Sequence, residues 1–322
     1  MKSHNISIDI LKFFAALLIT NSHMELLYGK YSMLATGGSI GDVLFFFASG
    51  FTLFLGRMGR FDNWYKRRIN RIYPTVFAWA TLSSFVLGYQ NDMKYTVIHG
   101  GGWFVTCIMM YYIILWIIRR ITENKLEWAF AVASAVVLGS YFFFFNRPQG
   151  WNMYGATYYK WMHYFLFMLL GAIIGKMPKQ RLNFSFSHDL AKLLLCVVAF
   201  YAVFIASLRI QYVAQFQIVS LLPLLGVTFY SYKVCNSRQL KRCYDNRYIG
   251  WCMKFIGGLC LEIYIVQYSL FTDAMNRIFP LNILIMFLII FAAAYLLRCV
   301  SRIFAQTFKD GEYDWREVFK VV

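Results

Sequence analysis

Apolar residues in this chain come in long runs, with the polar residues gathered between them. Ten such stretches, at 6–28, 38–56, 71–89, 103–120, 127–145, 159–176, 190–208, 214–233, 254–273 and 281–304, are rich in Leu, Ile, Val, Phe and Ala. Runs of about 20 apolar residues match the hydrocarbon core of a bilayer and predict membrane-spanning helices. A helix satisfies its own backbone in lipid, so the expected fold is an all-α polytopic bundle of about ten spans. No internal repeat of the kind that builds alternating-access halves is visible. The first run follows Lys2 as a signal peptide would. It is too long for one, it carries Lys12 and His23, and no small-residue cleavage pattern follows, so it reads as a retained span. The expected organisation is a transmembrane domain over 1–304 and a short tail over 305–322, with no soluble domain attached.

Composition agrees with the runs. Of 322 residues, 60% are hydrophobic, 20% aromatic and only 15% charged, which excludes an ordinary soluble domain. The net charge of +17 raises nucleic acid as a partner. Nucleic-acid binders gather their cations on one soluble surface, and no such module is visible, so that partner is excluded. Here the cations sit in short loops. Alternating the loops across ten spans places 24 Lys and Arg on one side, among them Lys2, Arg57, Lys179 and Arg181, and 6 on the other, Arg147 included. The positive-inside rule then puts both termini in the cytoplasm. The seven cysteines form no Cys-x-x-Cys pair and no zinc signature, so no metal site is expected. They read as small hydrophobes.

Ionisable residues inside apolar runs are costly and therefore point to function. The first run carries a lysine near one end, Lys12, and a histidine near the other, His23, about 16 Å apart along a helix. Glu25 follows at the outer end. Asp42 opens the second run at a similar depth, and a carboxylate beside a histidine is a usual way to hold an imidazole as a general base. The competing reading is a polar pair that only packs two helices, and Ser49 is as well suited to such packing as to a reaction. Arg68 and Arg71 are three apart, on one face if the segment is helical, and suit phosphate oxygens together with Lys12. The plainer reading is a basic loop meeting anionic lipid. Trp103 is either an interfacial anchor or a platform for a ring. Tyr154, Tyr158, Tyr159, Trp161, His163 and Tyr164 read as an aromatic belt. Glu262 lies mid-run and needs a partner, a cation such as Lys12, or a cavity.

In order, Asp9-Ile-x-Lys12-x10-His23, Gly41-Asp42-Val-x-Phe-Phe-x-x-Ser49-Gly50-Phe51, Arg68-x-x-Arg71-Ile-Tyr73-Pro74, Trp103-Phe104 and Leu261-Glu262-Ile-Tyr264 resemble the membrane acyltransferase-3 family over nearly the whole chain. The resemblance implies transfer of an acyl group, commonly acetyl or succinyl, from acyl-coenzyme A to a carbohydrate hydroxyl at the bacterial inner membrane. The acceptor would be a polysaccharide, a lipopolysaccharide or a lipid-linked glycan. It implies His23 as the essential base-like group, with Asp42 beside it, and Lys12, Arg68 and Arg71 as donor-binding residues. Glu25, Ser49, Trp103 and Glu262 are then candidates for substrate contact. Lys12 stands where many members have arginine, Gln267 where many have histidine and Cys260 where serine is frequent. Acyl-coenzyme A, with acetyl as the expected group, is a co-substrate, and no permanently bound cofactor is expected. Two other classes fit more loosely, a transporter or flippase for a lipid-linked glycan and a non-catalytic scaffold.

Overall fold

The structure, a computed structural model, describes residues 5–54, 59–90, 92–122, 125–143, 151–155, 157–178 and 182–321. Lys2, Arg57, Arg147, Lys179 and Arg181, and the ends of the expected runs 38–56 and 127–145, lie outside the described residues. Those described are all helical or irregular, with no strand among them. In chain order the helices are α1 (Ile6–Ser22), α2 (Glu25–Tyr28), α3 (Gly38–Phe54), α4 (Phe61–Leu87), α5 (Met93–His99) and α6 (Gly102–Ile121). Then come α7 (Leu126–Phe143), α8 (Lys160–Lys176), α9 (Phe186–Arg209), α10 (Gln211–Ala214), α11 (Leu221–Cys235) and α12 (Arg238–Asp245). The last are α13 (Arg247–Gly258), α14 (Cys260–Val266), α15 (Leu281–Thr307) and α16 (Trp315–Val318).

Each expected run falls on a helix, but not every helix qualifies as a crossing by length and apolarity. Five do: α6, α7, α9, Gln217–Cys235 and α15. Two bent pairs raise the number to seven: α1 with Glu25–Leu34, bent by 63°, and α13 with Cys260–Ser269, bent by 60°. The protein is thus an integral membrane protein with five to seven candidate spans. The stretch Phe61–Arg71, expected as a basic loop, is the first part of α4, which continues through Pro74 to Leu87.

The chain forms two compact units. One comprises Met1–Ala15, Ser39–Arg57 and Ile118–Gly250. Within it α3 and α8 touch backbone to backbone. A Cβ on Gly50 would strike the Met168 carbonyl, and one on Gly171 the Phe47 carbonyl. Phe47 and Phe51 then pack on the Tyr232 ring at 5.5 and 5.4 Å. Asp189 at the start of α9 pairs with Lys233 at the end of α11 at 2.6 Å. Tyr244 of α12 donates to Asp9 at 2.8 Å; burial first, then that carboxylate, pushes its phenol up. The expected aromatic belt is in large part core. Tyr154, Tyr159, His163 and Tyr164 are buried, and the first three each have a polar side-chain atom with a partner inside the protein. Tyr154 meets Ser220, Tyr159 donates to the Val137 carbonyl and His163 Nε2 faces the Met153 carbonyl. Tyr158 alone of the group is exposed like a belt residue.

The other unit comprises Ala16–Gly38, Met58–Ile117 and Trp251–Val322. Here α15 lies along α4, joined by Thr75 and Ser301 at 3.0 Å and by Phe77 against Phe304. The very short α2 is held from outside. Asn276 donates to the Leu26 carbonyl and Asn282 to the Leu27 carbonyl, each at 2.9 Å. These satisfy carbonyls that a four-residue helix cannot pair by itself. The tail folds back on α15, with Tyr295 donating to the Phe319 carbonyl.

Candidate functional site

His23 follows the last residue of α1, at the break into α2. Both of its ring nitrogens have polar neighbours. Gln267 Nε2 lies 3.1 Å from Nδ1, and the Tyr268 hydroxyl lies 2.7 Å from Nε2. The Tyr268 ring also packs on the imidazole, with centroids 4.7 Å apart. Gln267 and Tyr268 belong to one tight turn, Gln267–Ser269, that continues α14. Helix breaks of this kind place side chains and backbone groups inside a bundle where an unbroken helix would not.

Tyr264, three residues before Gln267, reaches the start of α6. Its hydroxyl accepts the Phe104 N–H at 3.4 Å and lies 2.9 Å from where a Cβ on Gly102 would stand. Gly102 adopts φ +64°, open to glycine at little cost, so the Gly-Gly-Gly run before Trp103 lets this tyrosine close against the backbone. Trp103 stands next to it, edge-on to Phe104. Glu262 is met by Arg298 of α15 at 2.9 Å, with both carboxylate oxygens engaged and side chains 8% and 16% exposed. The cation that neutralises this carboxylate is therefore Arg298.

Helical geometry brings Arg68 and Arg71 to one face of α4. The Arg68 guanidinium lies 4.1 Å above the Trp64 ring, with Tyr112 at 5.9 Å. Its Nε is buried and has no hydrogen-bond partner among the described residues. Burial, together with the like charges of Arg67 and Arg71, holds this guanidinium below its usual value. Such a cation is costly alone and favours an anion.

His23, Glu25, Arg68, Arg71, Trp103 and Glu262 all lie in this second unit. Glu25 is exposed at the start of α2. Lys12, Asp42 and Ser49 lie in the first unit, where Asp42 is partly buried beside the Tyr164 hydroxyl and Lys160. Sequence reasoning missed Tyr268, Trp64 and Arg298, and read Gln267 only as a departure from histidine. Gln267 did carry a signal, since it stands at a position where the family resemblance implies histidine. Among the described residues no three His, Cys, Asp or Glu converge as metal ligands would.

No curated protein and no solved structure matches the chain. A family model does, and it covers most of the length. Described as an acyltransferase domain, it extends over residues 5–299 and so takes in the His23 turn, the α4 arginines and the Glu262–Arg298 pair. A model spanning nine-tenths of 322 residues leaves little of the chain outside it, and the chain belongs to the acyltransferase 3 family.

Proposed function

We propose that this acyltransferase moves an acetyl group from acetyl-coenzyme A to a hydroxyl of a cell-surface or lipid-linked carbohydrate, in the bacterial inner membrane with both termini in the cytoplasm. The observation that carries the reading is the His23 imidazole, held at both nitrogens where α1 breaks. A fixed imidazole is suited to take the proton of an attacking hydroxyl.

In this reading the donor enters from the cytoplasm, and Arg68 and Arg71 meet its phosphates. Lys12 is assigned to the donor as well. Asp42 is assigned to the reaction by sequence position, while Gln267 and Tyr268 hold the two nitrogens of His23. Glu25, Ser49, Trp103 and Glu262 are assigned to the substrates by sequence position. The acceptor oxygen attacks the thioester carbon as its proton moves toward His23. The carbon–sulfur bond then breaks, and the thiolate leaves with a proton from the imidazolium. The product is an ester, and coenzyme A is released as the free thiol.

The test uses purified protein in liposomes with radiolabelled acetyl-coenzyme A and a polysaccharide acceptor. Label is expected in the glycan, released by mild alkali as an ester should be. Movement of a lipid-linked glycan across the bilayer without consumption of the thioester would overturn the reading.

A further inference from the structure

Gln267 has no exposed surface, and its amide oxygen has no hydrogen-bond partner among the described residues. Its amide nitrogen is the atom that faces His23 Nδ1. The oxygen and nitrogen of a side-chain amide exchange places by a half-turn about the terminal bond. The two orientations impose opposite tautomers on the imidazole. With the nitrogen toward Nδ1, the ring proton sits on Nε2, and no lone pair is left there to accept one. With the oxygen toward Nδ1, the Nδ1–H donates to it and the buried oxygen gains a partner. Nε2 then turns its lone pair to the Tyr268 hydroxyl, already at 2.7 Å.

We propose that Gln267 is a positioning residue that holds His23 in this second tautomer, and that Tyr268 carries the acceptor's proton to Nε2. The proposal rests on the acyl-transfer reading above. Tyr268 is 52% exposed, whereas Gln267 is fully buried, so the tyrosine is the outward member of the pair. An acceptor that approaches from that side meets the phenol oxygen first. Direct attack would require the Tyr268–His23 hydrogen bond to break; a relay keeps it. As the acceptor oxygen bonds to the acyl carbon, its proton passes to the Tyr268 oxygen, and the proton already on Tyr268 passes to Nε2. The tyrosine ends neutral and the imidazole carries the charge. The departing thiolate then takes a proton from the imidazolium, and both residues return to their starting state.

The experiment uses the full chain in native membranes with radiolabelled acetyl-coenzyme A, counting label in the glycan fraction. Alongside it, ¹⁵N-histidine spectra are recorded, with the His23 signals identified by their loss in His23→Asn. The wild-type spectrum is expected to show a protonated Nδ1 and a bare Nε2. Tyr268→Phe is expected to lower kcat by about 100-fold or more with the donor KM held within about twofold. Gln267→Glu supplies only an acceptor and is expected to keep turnover within about tenfold of wild type. Gln267→Met supplies no acceptor and is expected to lose about 100-fold and to mix the two tautomers. A proton on Nε2 in the wild type, full turnover in Tyr268→Phe, or Gln267→Glu as inert as Gln267→Met would each overturn the proposal. If wild-type membranes move no label, the acyl-transfer reading fails; the spectra decide the tautomer regardless.

Discussion

The guanidinium of Arg68 lies above the Trp64 indole, 4.1 Å from its centre, on a ring that is only 1% exposed. The indole is itself anchored, since its N–H donates to the Tyr112 carbonyl at 3.4 Å. A buried aromatic platform fixes the plane of an arginine fork before any anion arrives. Arg68→Lys keeps the charge and loses both the stack and the fork. It is expected to raise the KM for acetyl-coenzyme A by about tenfold with little change in kcat. Trp64→Phe, which keeps a ring, should be milder than Trp64→Leu. Steady-state kinetics with varied donor checks both, and an unchanged KM in Arg68→Lys would remove this arginine from the donor site.

His23 is half-buried, outside the fully packed core. His23→Ala is therefore expected to cut transfer by about 10²–10⁴-fold, the usual worth of a general base. The protein should still extract and elute as wild type does. Label transfer and size-exclusion chromatography in detergent measure the two effects separately. Wild-type turnover in this variant would sink the central assignment.

Glu262 and Arg298 form a buried pair whose members depend on each other. Removing one partner strands a charge, at about 3–5 kcal/mol. Arg298→Leu or Glu262→Leu alone should lower the unfolding temperature markedly, and the double variant should recover much of it. If Glu262 also touches substrate, the double variant will be stable yet impaired in transfer. Thermal unfolding in detergent, paired with the transfer assay, separates structure from chemistry. Additive losses in the double variant would show that the ion pair is not what holds these helices together.

In the first unit, Gly50 and Gly171 permit α3 and α8 to meet at their backbones. The atoms that a methyl would strike are carbonyl groups, which cannot turn aside as a long side chain can. Gly171→Ala is expected to cost about 1–3 kcal/mol or more, the range for overpacking. Gly139, with nothing near its Cβ position, should accept alanine without loss. Yield and thermal stability of the two variants give the comparison, and equal tolerance at both sites would contradict the close packing of these helices.

Much of the fold was legible in the sequence because a bilayer demands so little information: length and apolarity alone mark a helix that can cross. Each expected run is helical over most of its described residues, though only five to seven spans qualify by length and apolarity. The three-residue spacing of Arg68 and Arg71 likewise carried over, since the α4 backbone turns that spacing into one face. The His23 motif was also legible as a charge-bearing interruption. Hydropathy did not reveal that the first and ninth runs are broken, because a bend leaves composition unchanged.

What the sequence determined by itself, then, is an all-helical membrane protein of an acyltransferase family, and it put forward His23 and two α4 arginines as candidates for the chemistry. What only the tertiary structure decided is who stands beside whom. Gln267 and Tyr268 reach His23 across 244 and 245 positions, and Arg298 reaches Glu262 across 36. The reason is physical: hydrophobic periodicity fixes which face of a helix is buried, whereas a hydrogen bond needs two polar atoms within about 3 Å. That distance is set by helix breaks and packing, to which composition and period are blind.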